Sequence, residues 1–238
     1  PGMRARNFDT HKGQMGRVGV IAGSKGYLGA AELCATAALR GGAGLVTLYV
    51  KEEIYPVIAT RMPSEIMVKM VEDYREVLDE PADVLAVGPG LGRASEEEIL
   101  AIVSQAEKPL VLDADALNIL ARHGFDCLRD GKAPRLLTPH PGEMARLAER
   151  MPEWKRLTRA ETVRAFGKTF PMATLLLKGA RTVIGAAGRP VAFNTTGHPG
   201  MATGGMGDVL TGVCSALIAG GATGAGGAAE PARAAGPP

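Results

Sequence analysis

The segment Thr203-Gly204-Gly205-Met206-Gly207-Asp208 sets three glycines in four positions, ends on a carboxylate and runs straight into the apolar stretch VLTGVCSAL. Glycine loses more backbone freedom on folding than any other residue, so this density costs stability unless bare backbone is needed. Glycines ahead of a helix let backbone N–H groups converge on an anion, and the helix dipole adds positive potential. A carboxylate in such a cradle is badly placed for simple phosphate binding, because like charges repel. It is well placed to take a proton from a hydroxyl while the cradle holds a transferring phosphoryl group. That is a kinase-type arrangement without a Walker A loop. The plainer alternative gives Asp208 no task beyond capping the helix and favouring its dipole.

Other polar motifs follow short apolar runs. DADALN (113–118) puts Asp113 and Asp115 two apart at a strand end. They could join a magnesium–phosphate network, bond a sugar hydroxyl, or merely cap a helix. TPHPGE (138–143) holds His140 between two prolines, which stiffens the loop and fixes the imidazole, so a ligand contact is expected there. KGART (178–182) offers Lys178 to neutralise phosphates and Thr182 to bond a nucleotide; alone it is an ordinary hairpin with a surface lysine. Two glycine loops are weaker signals. GSKG (23–26) lacks the second glycine of a Walker A loop, and GPGLG (88–92) has Arg93 where a dinucleotide fingerprint needs its last glycine.

The elements that position these motifs alternate between strand and helix. Apolar runs at 18–22, 45–50, 84–87, 110–112, 135–138 and 173–177 read as strands buried on both faces. Helices are expected at 29–40, at 95–105 behind a Ser95/Glu98 capping box, at 158–169 behind a Thr158/Glu161 capping box, and at 207–219. Segments 182–185 and 191–193 read as a hairpin. The pattern predicts an α/β fold around a mostly parallel sheet. The chemistry-bearing loops all follow strand ends, where ligands of such sheets bind, so one shared crevice is expected. One domain is expected over residues 1–218. Residues 219–238, rich in Gly, Ala and Pro, read as a disordered tail.

Bulk properties narrow the partners. The chain has 238 residues, 46% hydrophobic, with a net charge of +2 and 4% aromatics. Near-neutral charge and few aromatics argue against nucleic acid and membrane surfaces. The three cysteines are far apart and form no CxxC, so neither zinc nor a disulfide framework is signalled, which suits a cytoplasmic protein. The uncharged stretch 209–229 is too rich in Gly and Thr for a spanning helix.

Taken together, HKGQMGRVGVIAGSKGYLGAAELCATAALRGGAGLVTL, GPGLG, VLDADALN, LTPHPGE, LLKGARTVI and NTTGHPGMATGGMGDVLTG closely resemble, in this order, the ADP-dependent NAD(P)H-hydrate dehydratase family. The resemblance runs from about residue 11 to about residue 220. It implies a ribokinase-like three-layer sandwich. It also implies repair of hydrated NADH or NADPH in the S form, at the expense of ADP (or ATP) with Mg2+, releasing AMP and phosphate when ADP is used. By the same resemblance Asp208 is the catalytic base, and Ala30, Gly92, His140 and Asp208 contact the hydrated dinucleotide. Lys178, Gly179, Ala180, Arg181, Thr182, Gly205 and Gly207 contact the nucleotide; no protein metal ligand is assigned. A fused or separate epimerase and a homo-oligomer, tetrameric in relatives, are also implied. Relatives continue past the last helix with further helical segments, which this chain replaces with GGATGAGGAAEPARAAGPP. The competing readings are a small-molecule alcohol kinase of the same superfamily and a non-catalytic nucleotide-binding relative.

Overall fold

The computed structural model describes residues 12–221. After a 3-10 turn the chain forms β1 (Arg17–Ile21), α1 (Leu28–Arg40), β2 (Leu45–Val50), α2 (Tyr55–Arg61) and β3 (Ile66–Met70). It continues through β4 (Val84–Val87), α3 (Glu96–Gln105), β5 (Leu110–Leu112), α4 (Asp115–His123), α5 (Asp126–Arg129) and β6 (Arg135–Leu137). The last third holds α6 (Pro141–Ala148), α7 (Arg159–Thr169), β7 (Ala173–Leu177), β8 (Val183–Ala186), β9 (Ala192–Phe193) and α8 (Met206–Ala219).

All nine strands join one sheet in the order β3-β2-β1-β4-β5-β6-β7-β8-β9. Strands β1 to β7 run parallel, and β8 and β9 turn back as the expected hairpin, with Val183 opposite Phe193. The parallel core follows from strands such as β4, whose four residues are all buried. Side-chain alternation divides the core into two layers. Val18, Val20 and Ala86 pack with α1, α2 and α8 on one side, and Ile21, Leu85 and Val87 pack under α3 to α7 on the other.

Helices α1 and α8 pack closely over β1 and β4 because small residues line their contact. A Cβ built on Gly212 would lie 2.2 Å from the Cys34 carbonyl oxygen and 2.8 Å from the Ala38 nitrogen. The same approach sets Ala216 against α1 at Gly41, where a Cβ would stand 3.0 Å from the Ala216 Cβ. This packing fixes the height at which the first turn of α8 meets the strand ends.

Two local expectations are corrected. Ser95 stands before α3 but makes no capping hydrogen bond. Its expected partner Glu98 is taken by the Lys51 ammonium at 2.7 Å and the Tyr74 amide at 2.6 Å. The helix begins as expected without the box. Neither aspartate of DADALN caps α4: the N-cap is Ala114, in an unusual backbone conformation (φ 49°), with no side-chain bond. The Thr158/Glu161 box is present, with both reciprocal bonds made. Of the segment expected to be a tail, Ala219 closes α8, and residues 222–238 lie outside the described residues.

Gly212→Val should force α8 away from α1. Overpacking of this kind costs about 1–3 kcal/mol, so a drop in the denaturant midpoint with an unchanged slope is expected. An unchanged midpoint would mean that the α1–α8 contact is looser than described.

Candidate active site

The N-terminus of α8 is built without a side-chain cap. Its N-cap is Gly205, left-handed at φ 85°, where a Cβ would strike the Leu33 Cδ1 at 2.4 Å. The first amides of a helix have no intrahelical acceptor, so here they face outward as open donors. A Cβ on Gly207 would stand 3.3 Å from the Lys178 Nζ and 3.4 Å from an Asp113 carboxylate oxygen, filling the space between them. The glycines therefore admit the ammonium and the carboxylate close to the helix start.

Asp208 lies in the first turn of α8, half-buried. Among the described residues its carboxylate accepts no hydrogen bond, so it does not cap the helix, while its charge in the first turn still favours the helix dipole. Burial pushes its pKa up to about 6, the charge of Asp113 adds to the rise, Lys178 opposes it, and Glu143 adds again. A half-buried carboxyl with no hydrogen-bond partner among the described residues and a raised pKa holds a proton more readily than an ordinary carboxylate.

Asp113 sits beneath this group with its side chain 2% exposed. One oxygen accepts from the Lys178 Nζ at 2.8 Å and the other from the Thr211 hydroxyl at 2.9 Å. The Thr211 hydroxyl lies 3.1 Å from the Gly207 carbonyl oxygen, within its own helix. Lys178 is thus held by a buried carboxylate rather than displayed on the surface. The Lys178 amide donates to the Pro139 carbonyl at 2.9 Å, which joins the KGART turn to the TPHPGE loop.

His140 is fixed by more than its flanking prolines. Its Nδ1 accepts from the amides of Gly142 (3.0 Å) and Glu143 (3.3 Å), and the Glu143 carboxylate accepts from the His140 amide at 2.8 Å. The pair forms a capping box that opens α6. Glu143 is buried and its carboxyl is raised, chiefly by that burial.

The remaining expected contacts lie at the ends of β1 and β4. The Gly92 amide donates to Asp115 at 2.8 Å, and the Ser24 hydroxyl donates to the Gly90 carbonyl at 2.8 Å. A Cβ on Gly90 would meet that of Ala30 at 2.9 Å, so the GPGLG loop lies directly against the start of α1. Ala30, Gly92 and Asp115 thus gather at the ends of β1 and β4, and Asp113, Lys178 and Gly207 gather at the ends of β5 and β7. Gly179, Ala180, Arg181 and Thr182 form the turn from β7 to β8.

Glu143 and Thr211 were not singled out from the sequence. Thr211 stands four residues after Gly207, one helical turn on, so spacing could have placed it on the face that meets Asp113. Glu143 stands three residues after His140 in capping-box spacing, hidden because histidine is not a usual N-cap. Two cavities stand beside these loops. One of about 460 Å3 is lined by Pro141, Trp154, Arg159 and Leu177, and one of about 200 Å3 by Ser24, Lys51 and Gly92. Neither is lined by Asp208.

Asp113→Asn should weaken the hold on Lys178 and cost about 2 kcal/mol, less than the ~3–5 kcal/mol of a fully buried broken pair because Lys178 keeps some exposure. Urea unfolding of the two proteins checks this. Equal stability would show that the pair contributes nothing to the fold.

Comparison with known proteins identifies the family. Residues 18–235 match the family model described as NAD(P)H-hydrate dehydratase. The ADP-dependent (S)-NAD(P)H-hydrate dehydratase of Neisseria meningitidis is 37% identical over 91% of this chain and 73% of its own length. An ADP/ATP-dependent NAD(P)H-hydrate dehydratase from Bacillus subtilis, co-crystallised with ATP/Mg2+, superposes with a TM-score of 0.73 at 30% identity, covering 91% of this chain and 80% of that one. A ribokinase-like superfamily protein from Enterococcus faecalis superposes with a TM-score of 0.76 at 31% identity, covering 92% and 76%. The chain spans less than half the length of the bifunctional NAD(P)H-hydrate repair enzymes it also matches, 42% in the case of Moorella thermoacetica, at 42% identity over 89% of this chain. The fold is ribokinase-like, and the chain belongs to the NAD(P)H-hydrate dehydratase family.

Proposed function

We propose that this chain is a hydro-lyase that restores NADH and NADPH from their hydrated S forms, using ADP, or ATP, as phosphoryl donor. The observation that carries the reading is Asp208, a hydrogen-bond-free carboxylate raised to about 6 at an uncapped helix start. In this reading Asp208 takes the proton of the ring hydroxyl as its oxygen attacks the terminal phosphoryl of the nucleotide. The amides at the start of α8 receive the negative charge that develops, together with Lys178. Phosphate then leaves the ring by elimination. A hydroxyl is a poor leaving group and a phosphate a good one, which is why a dehydration consumes a nucleotide. With ADP the products are the reduced dinucleotide, AMP and phosphate.

Roles for the other groups are taken from the family resemblance. Ala30, Gly92 and His140 border the hydrated dinucleotide, and Gly179, Ala180, Arg181, Thr182, Gly205 and Gly207 border the nucleotide. Magnesium fits this arrangement as an ion carried by nucleotide phosphates and water. Among the described residues no three carboxylate, histidine or cysteine side chains converge as a cage, and Asp113 is already engaged. Such an ion would neutralise the phosphates; Glu143 and Asp208, close enough for the charge of one to raise the pKa of the other, would be the carboxylates available to its water shell. An epimerase, fused or separate, would supply the S form. No helix among the described residues is long and apolar enough to cross a membrane, and a cytoplasmic setting suits the three free cysteines.

The test is recovery of reduced-nicotinamide absorbance from hydrated NADH, with ADP and ATP supplied separately. Recovery that requires a nucleotide supports the reading and names the donor. A nucleotide consumed without recovery would favour an alcohol kinase. Asp208→Asn should still bind hydrated dinucleotide but lose about 10²–10⁴-fold in turnover, the typical size of general-base catalysis. The base must be ionised to act, so kcat/KM should fall with unit slope below a pH of about 6. A profile that stays flat down to the range of an ordinary carboxylate would remove Asp208 from the role of base.

A further inference from the structure

The β7–β8 turn is held from behind by one side chain. The Arg159 guanidinium donates to four backbone carbonyls: Leu177 (2.8 Å) and Lys178 (3.1 Å) through Nη2, Ala180 (2.9 Å) and Arg181 (3.3 Å) through Nη1. Nearly every carbonyl of the turn thus faces the arginine. Two residues take left-handed backbone to allow it, Gly179 at φ 139° and Arg181 at φ 56°. A Cβ on Gly179 would lie 3.1 Å from the Arg159 Nη2. Among the described residues the amides of Gly179, Ala180 and Arg181 donate no hydrogen bond.

Arg159 is costly where it stands. It is the first residue of α7, where the helix dipole disfavours a cation. Among the described residues no carboxylate pairs with it, and its Nε–H is buried without a partner. The contacts that offset these costs are those to the four carbonyls.

We infer that Arg159 is a positioning residue for the nucleotide: by drawing the carbonyls of 177, 178, 180 and 181 to its own side of the turn, it leaves the amides of 179–181 free to face a polyphosphate on the other side. An anion bound by consecutive amides needs the carbonyl dipoles turned away, and the guanidinium enforces that before the nucleotide arrives. The inference rests on the reading of residues 178–182 as the nucleotide turn.

Arg159→Met and Arg159→Lys test it in the full chain. Nucleotide affinity is read by calorimetry with ADP and ATP, and KM is read separately for nucleotide and for hydrated NADH. Arg159→Met should weaken nucleotide binding about 10- to 100-fold, the size of losing hydrogen bonds to a charged group, with the KM for hydrated NADH within about twofold, inside the factor-of-ten meaning of 1.4 kcal/mol. Arg159→Lys keeps the charge but cannot span four carbonyls, so it should bind nucleotide with intermediate affinity. Wild-type affinity in Arg159→Met, or in Arg159→Lys should the methionine variant not fold, overturns the inference alone. Equal losses for nucleotide and hydrated NADH would mark a general structural role and overturn it too. A wild-type chain that binds neither nucleotide would overturn the nucleotide reading itself.

Discussion

One buried carboxylate holds three separate pieces of the chain in register. Asp113 directly follows β5, accepts from Lys178 directly after β7, and accepts from Thr211 in the second turn of α8. A carboxylate this buried must have its oxygens satisfied, and both are. The consequence reaches past stability. Lys178 is aimed, and the open start of α8 is set against it, before any ligand arrives, which is the preorganisation that electrostatic catalysis requires. The same negative charge lies close enough to Asp208 to help lift its pKa. Positioning and tuning therefore come from a single group.

The glycines of the opening motif serve this arrangement by absence. Gly207 leaves room for the Lys178–Asp113 pair beside the helix, and Gly212 lets α8 settle onto α1. Side chains at either position would lift the helix start away from the strand ends. The stability cost of these glycines is met by two apolar core layers that clamp the sheet from both sides.

Much of this was legible in the sequence where burial was two-sided. Strands β2, β4, β5 and β7 have the expected bounds, because short uninterrupted apolar runs have few other uses in a fold of this kind. Strand β3 escaped notice: it is an edge strand, with Met67, Lys69 and Met70 exposed. Helices α4 and α6 were obscured by their unusual starts, an N-cap alanine and an N-cap histidine. The false Ser95 box shows the limit of local pattern. Glu98 has the right spacing, but Lys51 and Tyr74, distant in sequence, claim its carboxylate. Candidate-site motifs at strand ends were readable as a set, while the role of Asp113 was not, because nothing local says that Lys178 and Thr211 converge on it.

In the proposed reaction the Asp208 site couples nucleotide cleavage to loss of water from the dinucleotide. Stoichiometry tests it most directly: AMP, inorganic phosphate and reduced nicotinamide counted together in one reaction with ADP and hydrated NADH. The account predicts that the three appear in equal amounts. Phosphate retained on the alcohol, or reduced nicotinamide formed without nucleotide cleavage, would contradict it.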